Sequence, residues 1–143
     1  MTIDGLTDDR IRDILAATRA VAIVGASANP IRASFGVAGF LAAQGYAVTP
    51  VNPGLAGQTL HGTPVVATLD DAGSLDMVDI FRASNQVPQV VDDAIRLGAK
   101  TIWMQLGVFH MAAAAKATAA GITVVMDRCP SIEIGRLGIT RAA

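Results

Sequence analysis

A single cysteine, a single tryptophan and a single tyrosine stand among the 143 residues of this chain. With Cys129 alone there is no internal disulfide framework and no cysteine-rich metal site. The two histidines, His61 and His110, lie far apart and offer no zinc or iron constellation. Aromatics make up 4% of the residues, too few for a base-stacking surface, and the net charge of −1 sets up no field for nucleic acid or an anionic membrane. Charge is scarce, and the span from Ala33 to Leu69 carries none. That span still fails as a membrane helix, because Gly36, Gly39, Gln44, Gly45, Pro50, Asn52 and Pro53 interrupt it and no apolar run approaches about 18 residues. The first nine residues lack the basic start and apolar core of a signal peptide, so the cytosol is the default expectation.

What is abundant is apolar side chain, 52% of the residues, with a mean hydropathy of +0.47. A parallel sheet covered on both faces accounts for this, since its strands need no polar side. The length suits one domain over residues 1–143, with residues 1–18 forming an N-terminal helix packed on it. Thr7 caps that opening helix, and Ile11, Ile14 and Leu15 form its buried stripe. Strands are expected at 21–24, 46–51, 76–81, 100–104 and 122–126, with a short edge strand at 64–66. Helices are expected at about 35–44, 86–97 and 111–120, with a single helical turn at 68–73. Asp92 and Arg96 are read as an i,i+4 pair. Three times a helix stops at glycine and a strand begins at once: Gly45-Tyr46, Gly98-Ala99 and Gly121-Ile122. Such alternation predicts an α/β fold, a Rossmann-like doubly wound parallel sheet in a single three-layer α/β/α domain. Every strand then ends on one rim, where ligands bind near the topological switch point.

The organising stretch runs from Val21 to Gly36. A short β-branched run ends at Gly25. A loop of small residues follows, holding Ala26, Ser27, Asn29 and the cation Arg32, and Ser34 is placed to cap the next helix. Strand, tight loop and helix N-terminus together form a phosphate-holding arrangement, because unpaired amides and the helix dipole face the anion. The fingerprint G-x-G-x-x-G is not met, since Ser27 and Pro30 replace its later glycines. A plain tight turn of any doubly wound fold would look similar. The other strand ends bring Asn52 and Pro53, then Phe81 and Arg82, then Gln105, Leu106 and Gly107, and last Asp127, Arg128 and Cys129. Arg32, Arg82 and Arg128 thus share one edge, which suits a ligand with separated phosphates, although Arg128 could instead pair with a carboxylate. The second strand ends in Val51-Asn52-Pro53 rather than a carboxylate, which counts against NAD and leaves NADP open.

Several segments carry a resemblance: Val-Ala-Ile-Val-Gly-Ala-Ser at 21–27, Gly-Tyr-Ala-Val-Thr-Pro-Val-Asn-Pro at 45–53, Val-Asp-Ile-Phe-Arg at 78–82, Gly-Ala-Lys-Thr-Ile-Trp-Met-Gln-Leu-Gly at 98–107 and Val-Val-Met-Asp-Arg-Cys-Pro at 124–130. From Ala20 to Leu137 the chain resembles the small single-domain CoA-binding protein family, which is related to the CoA-binding domain of succinyl-CoA synthetase α subunits. The resemblance implies a Rossmann-like fold and coenzyme A as cofactor. It implies Gly25, Ala26 and Ser27 as diphosphate loop, Asn52 and Pro53 as the turn beside the nucleotide, Phe81 and Arg82 as a flank of the cleft, and Gln105, Leu106 and Gly107 as the floor near the pantetheine. Ala33 departs from the family, in which proline often follows the arginine. On the rim itself, the diphosphate suits the first helix N-terminus, and the 3′-phosphate suits an exposed arginine such as Arg32.

Cys129 reads first as a small buried residue and second as a thiol able to pair with the CoA thiol. His110 reads as the residue that opens a helix, Trp103 as core, and Asp127 and Glu133 as acid–base candidates with no nucleophile in reach. The expected function is therefore binding of coenzyme A or an acyl-CoA without evident catalytic machinery. The partners expected are that small molecule and either a second copy or a ligase subunit, with neither nucleic acid nor membrane. An NAD(P)-binding oxidoreductase and a CoA-binding ligase subunit stand as alternatives.

Overall fold

The structure is a computed structural model and describes residues 2–140. Five parallel strands form its sheet: β1 (Ala20–Val24), β2 (Ala47–Val51), β5 (Met77–Ile80), β6 (Thr101–Met104) and β7 (Thr123–Val125), in the order β2-β1-β5-β6-β7. A two-residue hairpin, β3 (Thr59–Leu60) and β4 (Thr63–Pro64), lies outside it and supplies the region where one edge strand is expected. The chain runs from β1 outward to β2, then returns past β1 to β5, so the order reverses between β1 and β5. Loops leave that point in opposite directions and open a crevice at the carboxyl ends of the two strands.

Alternation along the strands sorts side chains onto two faces. Val21, Ile23, Met77 and Trp103 pack with Ile11, Ile14 and Leu15 of α1 (Asp8–Ala17), with Val37, Ala38 and Leu41 of α2 (Ala33–Ala43), and with Ile134 of α5 (Pro130–Leu137). Ala22, Val78, Ile80, Ile102 and Met104 pack with Val87, Val91 and Ala94 of α3 (Val87–Leu97) and with Ala113, Ala114 and Ala117 of α4 (Met111–Ala119). Each large aliphatic side chain so buried contributes about 1.5–3 kcal/mol. This two-sided burial is why strands such as Val21–Val24 carry no polar residue. Among the described residues, no helix is long and apolar enough to cross a membrane.

Three local expectations are corrected. Helix α2 begins at Ala33 with Arg32 at its N-cap, so Ser34 sits buried in the first turn and does not cap it. Asp92 and Arg96 do not pair: Arg96 forms a two-pronged bridge to Asp70 and reaches Asp93, while Asp92 accepts from Lys116. Helix α5 is a further element beyond the last expected strand. Thr7 does cap α1, its side chain accepting from the Arg10 amide at 3.2 Å, and His110 opens α4 by accepting from Ala113 N at 3.1 Å.

Asp79 is the anomaly of the core. It lies in β5 between Ile23 of β1 and Trp103 of β6, is 0% exposed, and neither carboxylate oxygen has a hydrogen-bond partner among the described residues. Burial pushes its carboxyl well above the ordinary aspartate range. The native state therefore holds a proton that the unfolded chain releases. Stability is fully present below the unfolded value and falls by about 1.4 kcal/mol per pH unit above it, until the native value is passed. Denaturation midpoints of the wild-type chain and of Asp79→Asn, taken from about pH 5 to about pH 7, should show a falling trend in the first and a flatter one in the second. Parallel trends would place the proton elsewhere.

Candidate functional site

The site is built where β1 meets β5. Gly25 has φ of +89°, and a Cβ added there would stand 2.3 Å from the Phe81 carbonyl oxygen. Only glycine lets the two strand ends come this close. The amides of Gly25 and Ala26 both donate to Val51 O, at 3.1 and 3.3 Å, tying the end of β1 to β2. Asn52 completes the knot: its Nδ2 donates to Ala26 O at 2.7 Å, and its Oδ1 accepts from Gly54 N at 2.8 Å. Both ends of that side chain are thereby used by the protein.

The loop then closes on itself. Asn29 N donates to Ser27 Oγ, Ile31 N to Asn29 Oδ1, and Arg32 N to Asn29 O, each at 3.0 Å. The amides of Ser27, Ala28, Ala33 and Ser34 meet no acceptor among the described residues. These four residues line one cleft, where the open start of α2 concentrates positive potential. The hairpin braces the same turn. His61 Nε2 donates to Phe35 O at 2.8 Å, its ring lies 4.4 Å from the Phe35 ring, and a Cβ on Gly39 would meet His61 Cε1 at 2.7 Å. No sequence reading pointed to this brace. Its only trace is the small residue at Gly39, which admits the imidazole.

The cleft encloses about 940 Å³. Of the residues singled out in the sequence, Gly25, Ala26, Ser27, Arg32, Ser34, Asn52, Phe81, Arg82, Gln105 and Leu106 line it. Pro53 and Gly107 do not. Pro53 turns into a second cleft of about 610 Å³ on the α3 side, shared with Thr68, Asn85, Gln89 and Arg82. Gly107 uses its amide to hold the Asp127 carboxylate at 2.7 Å. Arg82 stands on the ridge between the two clefts, and neither it nor Arg32 forms an ion pair among the described residues.

Gln105 is 4% exposed, lines the first cleft, and leaves Oε1 buried with no hydrogen-bond partner among the described residues. A buried, unpaired amide oxygen costs roughly 1–3 kcal/mol, so a donor is wanted at this position. Near it, Leu106 and Ile132 are apolar and exposed beside Val108 and Cys129. Sequence reading missed Ile132 with the whole of α5, although Pro130 at the first helical position and Gly138 at the stop marked that helix.

The stretch Met126-Asp127-Arg128-Cys129 points its residues in different directions. Asp127, at φ +56°, holds the loop after β6. Arg128 is 5% exposed and leaves the rim entirely: its guanidinium binds both oxygens of Asp4, at 2.8 and 2.9 Å, with Thr2 Oγ1 and Leu6 O. The expectation that three arginines share the rim thus reduces to two. Glu133, the other acid–base candidate, is engaged by Arg136. Ser84, first residue of the short 3-10 turn that leads into α3, accepts from Phe109 N at 3.2 Å and ties that turn to the loop after β6.

A five-strand parallel sheet, a glycine-tight turn at its switch point and a helix N-terminus opening on the adjoining cleft define a Rossmann-like α/β domain. The chain belongs to the CoA binding domain family, whose model matches residues 19–135. It is 33% identical over 120 residues to the uncharacterized protein YneT of Bacillus subtilis (strain 168), covering 83% of this chain and 87% of that one. A hypothetical protein from Pyrococcus horikoshii OT3 superposes with a TM-score of 0.91 at 36% identity, over 97% of each chain. A dinucleotide-forming acetyl-coenzyme A synthetase from Ca. Korarchaeum cryptofilum shares the fold at 22% identity and a TM-score of 0.68, over 80% of this chain and 27% of that one.

Proposed function

We propose that this chain binds coenzyme A or an acyl-CoA across both clefts. The diphosphate lies on the free amides of the loop and the start of α2, beside Arg32. The adenosine half turns past Arg82 toward Pro53 in the second cleft, and the pantetheine arm runs the other way, past Phe81 to Gln105 and Leu106. The observation that carries this reading is Gln105: the residue lines the cleft, and its buried Oε1, without a partner among the described residues, lacks a donor of the kind a pantetheine amide N–H supplies. Coenzyme A is preferred to a nicotinamide dinucleotide because the end of β2 offers no carboxylate to a ribose diol, and the Asn52 amide is already spent on Ala26 and Gly54. We read the role as binding, either alone or on behalf of a ligase partner.

Calorimetric titration with coenzyme A, dephospho-CoA and NADP tests it. Coenzyme A should bind best, and dephospho-CoA less well because it lacks the 3′-phosphate, which suits an exposed arginine such as Arg32. Equal or absent heats for all three would remove the proposal. Ser27→Asp places a negative charge against the diphosphate and should weaken coenzyme A by well over about 1 kcal/mol, roughly tenfold in Kd. Unchanged affinity would contradict the placement.

A further inference from the structure

Cys129 is 6% exposed, and it lines the same cleft as Gln105 and Leu106. It follows β7, while the diphosphate position follows β1, three strands away in the sheet order. Three strand spacings amount to roughly 14 Å. A pantetheine arm starting at α2 and crossing the ends of β5 and β6 therefore points its thiol toward Cys129, and Gln105 Oε1 awaits an amide donor on the way. The ionisable side chains nearby are turned elsewhere, Asp127 to the Gly107 amide and Glu133 to Arg136.

Resting on the coenzyme A reading, we propose that Cys129 is a modification site, which forms a mixed disulfide with a bound coenzyme A by exchange with CoA disulfide. Cys129 gives its proton to solvent, and its Sγ attacks the sulfur of the CoA half seated in the cleft. The sulfur–sulfur bond of CoA disulfide breaks as the Cys129–CoA bond forms. The second CoA departs as a thiolate and takes a proton from solvent. One disulfide is consumed and one is made, so no further oxidant enters. The chain holds no second cysteine to resolve the adduct, which persists until an external thiol removes it.

The test is intact-mass spectrometry of the full chain with CoA disulfide and, separately, with glutathione disulfide, beside calorimetry with reduced coenzyme A. The expected result is a gain of one CoA moiety, reversed by dithiothreitol, and forming at least roughly tenfold faster than the glutathione adduct because binding presents the disulfide. Reduced coenzyme A should compete. Ser27→Asp and Gln105→Ala should slow the reaction with CoA disulfide and leave that with glutathione disulfide unchanged. If reduced coenzyme A binds but no adduct forms, or both disulfides react equally fast and indifferently to these variants, the inference fails while the binding reading stands. If reduced coenzyme A does not bind, both fail.

Discussion

Gly25→Ala should lose about 3 kcal/mol or more of folding stability, and with it coenzyme A binding. Two costs add at this position. The first is conformational, since φ of +89° lies where a side chain is strained. The second is steric: the new methyl would stand 2.3 Å from the Phe81 carbonyl oxygen, 3.0 Å from its carbon and 3.3 Å from its Cβ. The obstructing atoms are mostly backbone of the adjoining strand end, so they do not swing aside. Relief requires β1 and β5 to part at the switch point, which opens the loop whose amides face the cleft. Gly62→Ala isolates the first cost, because Gly62 has φ of +79° with nothing within 4 Å of an added Cβ. It should lose only about 1 kcal/mol. Urea midpoints of the two variants, with coenzyme A titrated into each, give the comparison. Equal losses would show that the approach to Phe81 does not matter.

How much of this was legible in the sequence follows from the range of the interactions involved. The sheet was readable because two-sided burial writes itself as apolar, β-branched runs such as Val21–Val24, and because Gly45, Gly98 and Gly121 stop helices by local backbone conformation. Gly25 through Ser27 could be placed in a loop at a strand end for the same reason. Contacts between distant segments were not readable. The pairing of Arg96 with Asp70 instead of Asp92 depends on where a separate 3-10 turn packs. Ser34 reads as a cap by residue type, yet the turns made by Asn29 start α2 two residues earlier. The His61 brace joins residues 26 apart in sequence through a hairpin too short to have a pattern of its own. Gln105 could be placed at a strand end, but that its Oε1 is left buried without a partner is a product of the folded chain.

Arg128 illustrates the same limit and carries the second large effect. At a strand end among other arginines it reads as a phosphate ligand; in the fold it is a staple between the amino-terminal segment and the connection from β7 to α5. Its side chain is 6% exposed and that of Asp4 is 1% exposed, with Asp4 also accepting from Leu6 N and Met126 N. Arg128→Met should lose about 3–5 kcal/mol, because it leaves a buried carboxylate without its cation, whereas Asp4→Leu combined with Arg128→Met should recover much of the loss. The pH dependence separates this role from ligand binding. Burial alone would push the Asp4 carboxyl up, but Arg128 and the two amides outweigh it and hold it below the ordinary aspartate range. In the wild-type chain this contribution is present above the unfolded value and lost as the pH falls through the native one. In Arg128→Met the burial of Asp4 is no longer offset by the guanidinium, the carboxyl rises, and the stability lost to the substitution should shrink as the pH falls through the acid range. Chemical denaturation of parent and variant side by side across that range reads the narrowing difference directly. A variant with unaltered stability and impaired coenzyme A binding would return Arg128 to the rim.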